Sequence, residues 1–532
     1  MKKIFNILML IPVTFFAASC LEVVEPDGYL TEQKKQELYN DNPANLLDAA
    51  LAGMYVNMQQ AVETDLNHNY FGQKSFDYLT SLMGVDMVMT NAYAMSFYHY
   101  VLDYWQHNYE PTANRWAEYY NHISDANNIL RLVPADSEKP IDQYYRAVAL
   151  SFRGYAYLQL TCLYQLSYYL GVEGTKWGKN ARAYDNSEKP CVPLLLEDTV
   201  GDQPRSSVKR IHEQITSDLT TAYNTFKALD MVRTSTPSDF DGAVVAMYLA
   251  RQAMILNKWE DAIKYAQVVI DNYDILTTED DLLQGFSNIN LVDVVFGCDI
   301  TADNSTTYMS WFSQMDAYGE GYAAIGVTRA GFKPFVDRIA DDDIRLKWFC
   351  CERTTLGEYR GEPATLLRDT AYPASAEYQS VKFIGTGRPN ILSGSFSGWE
   401  LGDYIYLRSE EAYFIMAEAM AHNEEVADAK DLLVEFMQTR QPSYSFSSTD
   451  YAEVVEEINF QKRVEFWGEG IEFLDNRRLN IPVDRSNETW GAANNNHFAY
   501  KVVWEQDEEV FVYQLPDKEM ENNTALTPAD QN

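Results

Sequence analysis

Apolar residues recur every three or four positions over long stretches at both ends of the chain, the signature of helices that bury one face. From Pro43 to Met58, the residues Leu47, Leu51, Met54 and Met58 fall on one side. Asn42 is the predicted N-cap there, with Pro43 at the first helical position. Residues 114–133 and 142–170 repeat the pattern, with Pro134 and Gly171 as expected stops. Residues 205–229 predict another helix.

The clearest local motif spans 241–276. Ala246, Leu249, Ala250 and Ala253 bring small and apolar residues to one face, a turn follows at Asn257-Lys258, and WEDAIKYAQVVID begins at Trp259. The pattern resembles a tetratricopeptide helix pair, in which small residues let antiparallel helices approach closely. A weaker copy lies at 404–440, turning near His422-Asn423. With pairs near 43–133 and 142–228, the chain predicts a mainly α fold of about four such pairs at irregular spacing.

Between them the period is lost. Residues 277–403 are richer in Gly, Ser, Thr, Asn and aromatics, and 304–326 and 388–404 predict loops with short strands. The expected architecture is a helical scaffold over 41–276, an irregular lobe over 277–403, and a C-terminal helical pair with a closing segment over 404–532. Loops on a rigid scaffold are where binding concentrates, so the lobe is the expected ligand-binding region.

The first residues fix where the protein is expected to work. MKKIFNILMLIPVTFFAASC has a basic start at Lys2 and Lys3, an apolar run from Ile4 to Phe16, and small residues before Cys20. The run falls short of the about 20 apolar residues a spanning helix needs, and it has the layout of a cleaved secretory signal over 1–19. The cysteine makes it look like a bacterial lipobox, with Cys20 the lipidated first residue and 20–40 a lipidated N-terminus and tether. Each buried acyl methylene contributes about 0.8 kcal/mol, so one chain holds marginally and several hold lastingly. No later stretch has 18 consecutive apolar residues, so the lipid is the one expected membrane contact.

A net charge of −36 excludes nucleic acid as a partner, since phosphate binding needs clustered Lys and Arg. With Cys20 assigned to lipid, Cys162, Cys191, Cys298, Cys350 and Cys351 remain, an odd set without repeated spacing. They predict neither a disulfide framework nor a zinc site, and Cys162 on an apolar helix is expected to be a small buried hydrophobe. Aromatic residues make up 14% of the chain, and their flat faces with polar tips suit sugars.

Motifs for catalysis are missing. The seven histidines form no H-E-x-x-H, GSFSG at 394–398 has Phe396 where a serine elbow needs Ser, and Gly385-Thr-Gly387 is no dinucleotide loop. Asp341-Asp342-Asp343 cannot face one cleft from opposite sides as a glycosidase pair must, and a turn in which Asp343 or a neighbour pairs with Arg345 is expected instead. The chain is read as a binding protein without enzyme activity, metal or cofactor.

The C-terminal third is more specific. QKRVEFWGEGIEFLDNRRLNIPVDR at 461–485, the closing VYQLPDKEMENNTALTPADQN and YLRSEEAYFIMAEAMA at 406–421 resemble signature segments of the SusD/RagB family. GVDMVMT at 84–90, NRWAEYYNHISDANNIL at 114–130 and DDDIRLKWF at 341–349 agree, so the resemblance runs in order along nearly the whole chain. Glu472 stands where members often carry Arg, and Asn476 replaces a usual aliphatic, which touches local packing more than function. Glu465, Glu469, Arg463, Arg477 and Arg478 are placed for ion pairs that lock this segment to the scaffold.

The resemblance implies an all-helical body of four tetratricopeptide-like units with an irregular ligand lobe. It implies a Bacteroidetes lipoprotein on the outer face of the outer membrane that passes oligosaccharides to a SusC-like TonB-dependent transporter. Peptide capture is the alternative, and a lipid-anchored hydrolase a remote third. Contact residues vary in the family, so composition selects them. Trp311, Phe312, Tyr318 and Tyr322 in the lobe are the first choice, and Tyr98 and Tyr100 the second.

Overall fold

The structure, a computed structural model, describes residues 32–59, 70–89, 96–177, 184–305, 308–317, 319, 321–324, 327, 329–351, 378–385, 401–485 and 503–532. Cys20 and Tyr318 lie outside these residues, as does the side chain of Tyr98. The chain divides into a small unit ending at Leu46 and a large one from Leu47 to Asn532. In the first, Glu32–Asp41 is helical, where a tether was expected through residue 40. A Lys34–Glu37 ion pair one turn apart, 3.2 Å long, supports this polar helix.

In the large unit, the helices Glu110–Leu132, Pro140–Tyr164, Val208–Ala228, Gly242–Ile255 and Trp259–Ile270 pack each on the next. Glu410–His422 and Val426–Gln438 continue the stack, because Glu410–His422 lies against Trp259–Ile270 with Trp259 and His422 rings 4.3 Å apart. The predicted helix pairs are therefore one continuous layer despite the long sequence gap. Ala246, Ala250, Ala262 and Ala266 are fully buried between neighbouring helices, as the small-residue pattern predicts. Asp241 starts its helix by accepting the Ala243 and Val244 N–H groups, each at 3.0 Å. Pro43–Gln59 buries the predicted stripe of Leu47, Leu51, Met54 and Met58. Its side chains reach Pro140–Tyr164, with Asp48 taking the Tyr145 hydroxyl at 2.5 Å and Tyr55 edge-on to Phe152.

The helix from Pro140 ends at Tyr164, six residues short of the expected end at residue 170. Gln165 turns to an extended φ of −154°, its carbonyl accepts from Arg477 at 2.6 Å, and its side chain bonds Pro190 O and Leu166 N. Gly171 instead follows the short strand Tyr169–Leu170 with a φ of 93°.

The lobe is not one contiguous insertion, which corrects the expected boundaries. Its four-stranded antiparallel sheet runs in the order Met87–Met89, Arg329–Gly331, Gln379–Ser380, Phe349–Cys350. Met87 pairs with Gly331 and Met89 with Arg329, so a strand from the N-terminal third completes the sheet. Tyr378 N–H donates to Cys350 O at 2.7 Å, closing the far edge. The lobe's core draws Phe71, Tyr78 and Tyr100 from one part of the chain, Leu276 to Ile405 from another, and Phe460, Val464 and Trp467 from a third. A second ladder, Val294–Cys298 with Tyr404–Arg408, leads directly into the Glu410–His422 helix. Residues 311–315, expected among loops and strands, form a short helix capped by Ser310, whose hydroxyl accepts Ser313 N–H at 3.1 Å.

Candidate functional surface

Buried charges fix the lobe to the stack. Glu465, at the end of the helix Tyr451–Glu465, meets Arg440 at 3.0 Å, Arg408 at 3.2 Å and Arg345 at 3.4 Å, all closed to solvent. Burial alone would raise its pKa, but Arg440, Arg408 and Arg345 together hold it far below the usual carboxylate range. Arg408 also reaches Glu469 at 3.0 Å, and Lys382 reaches Glu469 at 2.7 Å. Burial lowers Lys382 to about 8, with Glu469 opposing. Arg463 pairs with Asp86, and Arg478 holds Glu418 at 2.6 Å and Asp475 at 2.7 Å. The expected locking pairs are present except at Arg477, which donates to the carbonyls of Phe511 and Gln165 rather than to a carboxylate. Glu472 accepts Val85 N–H at 2.6 Å and Asp86 N–H at 3.3 Å, so it fastens the chain just before the first lobe strand.

Most of the aromatic residues selected from the sequence are part of this rigid interior. Trp311, Phe312 and Tyr100 are 1%, 0% and 0% exposed, which corrects their assignment as open ligand platforms. Trp311 lies edge-on to Phe383 at 5.0 Å, with the Lys74 ammonium 4.4 Å from its ring. Phe312 fills the space where Gly402 lacks a side chain; a Cβ there would stand 2.4 Å from the ring. Tyr100 lies under Arg485, whose guanidinium is 4.6 Å away. Each ring spends its faces on neighbours, so none is left for a sugar.

Tyr322 differs. It is partly buried against the lobe core and meets Tyr308 edge-on, ring centres 6.2 Å apart. Tyr308 is 43% exposed and was not singled out from the sequence. Its signal was available, since it stands in the same aromatic, Ser/Thr-rich stretch as Trp311. The turn carrying Tyr322 is anchored beneath by Ser313: Ala323 N–H donates to Ser313 O at 3.0 Å and Tyr322 N–H to Ser313 Oγ at 3.4 Å. Gly321 lets this approach happen, because a Cβ would sit 2.4 Å from Ser313 Cα. The pair is therefore a stiff aromatic ledge on the lobe surface, suited to stacking and hydrogen bonding.

Elsewhere the described residues offer little for chemistry. Cavities at the inner side of the helical stack, around Cys162 and Leu474, measure about 30 and about 40 Å³, room for a few waters and not for a sugar ring. Burial pushes the Cys162 thiol up to about 11, which keeps it inert. Asp343 clasps Arg345 at 2.8 Å, as expected, and Asp342 accepts from Gln441 and Ser443. These aspartates are structural. Among the described residues no cluster of metal-ligating side chains occurs, and no helix is long and apolar enough to cross a membrane.

Comparison with known proteins follows the same lines. The sequence profile of a family described as SusD-like, starch-binding associating with outer membrane, matches residues 28–232, and that of the SusD family matches 355–532. No curated protein matches the chain. Among solved structures, a SusD-like carbohydrate binding protein from Bacteroides vulgatus is similar with a TM-score of 0.74 at 20% identity, covering 92% of this chain and 98% of its own. A SusD superfamily protein from Bacteroides thetaiotaomicron gives 0.67 at 18% identity, covering 91% and 99%. Surface glycan-binding protein A from Bacteroides thetaiotaomicron, solved with laminarihexaose, gives 0.63 at 15% identity, covering 92% and 99%. The helical body with its lobe is thus the SusD-like fold.

Proposed function

The chain belongs to the SusD family, and from that membership we propose that it is a lipid-anchored protein of the outer cell surface that captures an oligosaccharide. It then delivers the cargo to a SusC-like TonB-dependent transporter in the outer membrane. Family membership carries this reading, and the leader ending at Cys20 supports the anchor. The cargo surface is the ledge of Tyr308 and Tyr322, with Tyr322 packed against the lobe core to which Trp311 and Phe312 belong. Tyr318 and Tyr98 are kept as candidate contacts from the sequence alone. The protein binds and releases without altering its cargo.

Calorimetry against a panel of polysaccharides and their oligosaccharides tests the cargo class. Binding to one glycan, weakened by Tyr322→Ala, is the expected result; binding to peptides and to no glycan overturns it. A net charge of −36 gives the peptide reading its specific form: basic peptides, held in a salt-sensitive way. For delivery, the expected observation is a barrel protein that co-purifies with the Cys20-lipidated form from detergent-solubilised outer membranes.

A further inference from the structure

Arg115, on the helix Glu110–Leu132, is completely closed to solvent, and its Nε, Nη1 and Nη2 have no hydrogen-bond partner. Its guanidinium lies 4.8 Å from the Phe76 ring and 5.3 Å from the Tyr513 ring. Stacking on rings offsets only a small part of what a buried cation loses in leaving water, and an arginine cannot escape by shedding its proton.

Arg115 also lines the cavity of about 40 Å³ that it shares with Gln73, Thr80, Tyr119 and Gly470. The other charged side chains on that cavity are already answered. Asp77 takes the Gln73 amide at 2.8 Å and lies 3.8 Å from Lys74. Arg251 grips both oxygens of Glu411, at 2.8 and 2.6 Å, and Glu469 is held by Arg408 and Lys382. Glu118, one turn along the same helix, is not among the residues lining this cavity. Among the described residues, Arg115 is the one charge on this cavity with neither an opposite charge nor a hydrogen bond.

The void next to it is a few times larger than one water needs, and far too small for a sugar or a peptide. An occupant must be compact, accept from a guanidinium, and bring negative charge. We propose that a single halide ion, chloride in the native medium, occupies this cavity as the counter-ion of Arg115. The ion is part of the folded body, at the seam where the helix Gln73–Ser81, the stack and the segment around Gly470 meet.

Bromide tests this on the unaltered protein. Crystals grown with sodium bromide in place of chloride are expected to show an anomalous peak in the cavity, within hydrogen-bond reach of the guanidinium. Ordinary water density there without an anomalous signal overturns the proposal. In solution, the melting temperature is expected to rise with the logarithm of chloride concentration at constant ionic strength, with gluconate as the replacement anion. The Arg115→Gln variant is expected to lose that dependence, and identical melting of the wild type in the two salts overturns the proposal whether or not the variant folds.

Discussion

Glu472 Oε1 accepts the backbone N–H of Val85 at 2.6 Å, although the two residues stand 387 positions apart. The same carboxylate takes Asp86 N–H at 3.3 Å, while Asp86 itself pairs with Arg463. One side chain of the helix Ile471–Leu479 thus sets the path by which the chain enters the lobe's first strand.

That position has a pH signature. Burial first, and the nearby Asp86 second, push Glu472 up to about 7, so the native state holds a proton over a range where the unfolded chain has released it. From pH about 4.5 to about 7 this group's contribution to stability therefore falls as pH rises. The Glu472→Gln variant, which keeps an acceptor oxygen and removes the ionisation, is expected to lose that decline. Urea denaturation of both proteins at pH 5 and pH 7.5 measures it; parallel curves would count against the assignment.

Glu465 behaves in the opposite sense, since its folded pKa is depressed by three arginines. Its contribution is complete above the unfolded carboxylate value and is lost only under strong acid. Replacing it with Gln leaves Arg345, Arg408 and Arg440 short of a counter-charge, at a cost of about 3–5 kcal/mol. Chemical denaturation at neutral pH reads that loss directly.

The two classes of lobe aromatics separate by experiment. Tyr308→Ala and Tyr322→Ala are expected to weaken glycan binding about tenfold each, or about 1.4 kcal/mol, with stability nearly unchanged. Trp311→Ala removes a ring wedged among Phe383, Tyr78 and Lys74, and is expected to cost about 3–5 kcal/mol of stability. Parallel calorimetry and thermal melting distinguish them. Equal destabilisation by all three would place the tyrosines in the core as well.

Gly154 lets the helices Pro140–Tyr164 and Val208–Ala228 approach closely. A Cβ added there would stand 2.7 Å from Cγ and Cδ2 of Leu219. Gly154→Ala is expected to destabilise by about 1–3 kcal/mol despite the better helix propensity of alanine, and the double variant with Leu219→Ala is expected to recover part of it.

How much the sequence discloses follows from the distance over which each element is determined. The stack was legible because a helix's burial is written in its own spacing, as at Leu47, Leu51, Met54 and Met58, or Ala246 and Ala250. The lobe sheet was not, because strands of two or three residues carry no period and find partners far away, as Met87 does with Gly331. Trp311 and Tyr322 stand in one stretch of similar composition, yet one is sealed by Phe383 and Tyr78 while the other is only partly buried. Composition reports that rings are present, and only remote partners decide which are sealed in the core. Arg477 shows the same limit: its charge suggested an ion pair, whereas the carbonyls left over at Gln165 and Phe511 claimed it.

The hydrogen bond from Tyr378 N–H to Cys350 O has an evolutionary consequence. It sets Cys350 and Tyr378 side by side at one edge of the sheet, so the two ends of the intervening sequence are fixed by the framework itself. Sequence between 351 and 378 can therefore be exchanged between homologues with both splice points held by strand pairing.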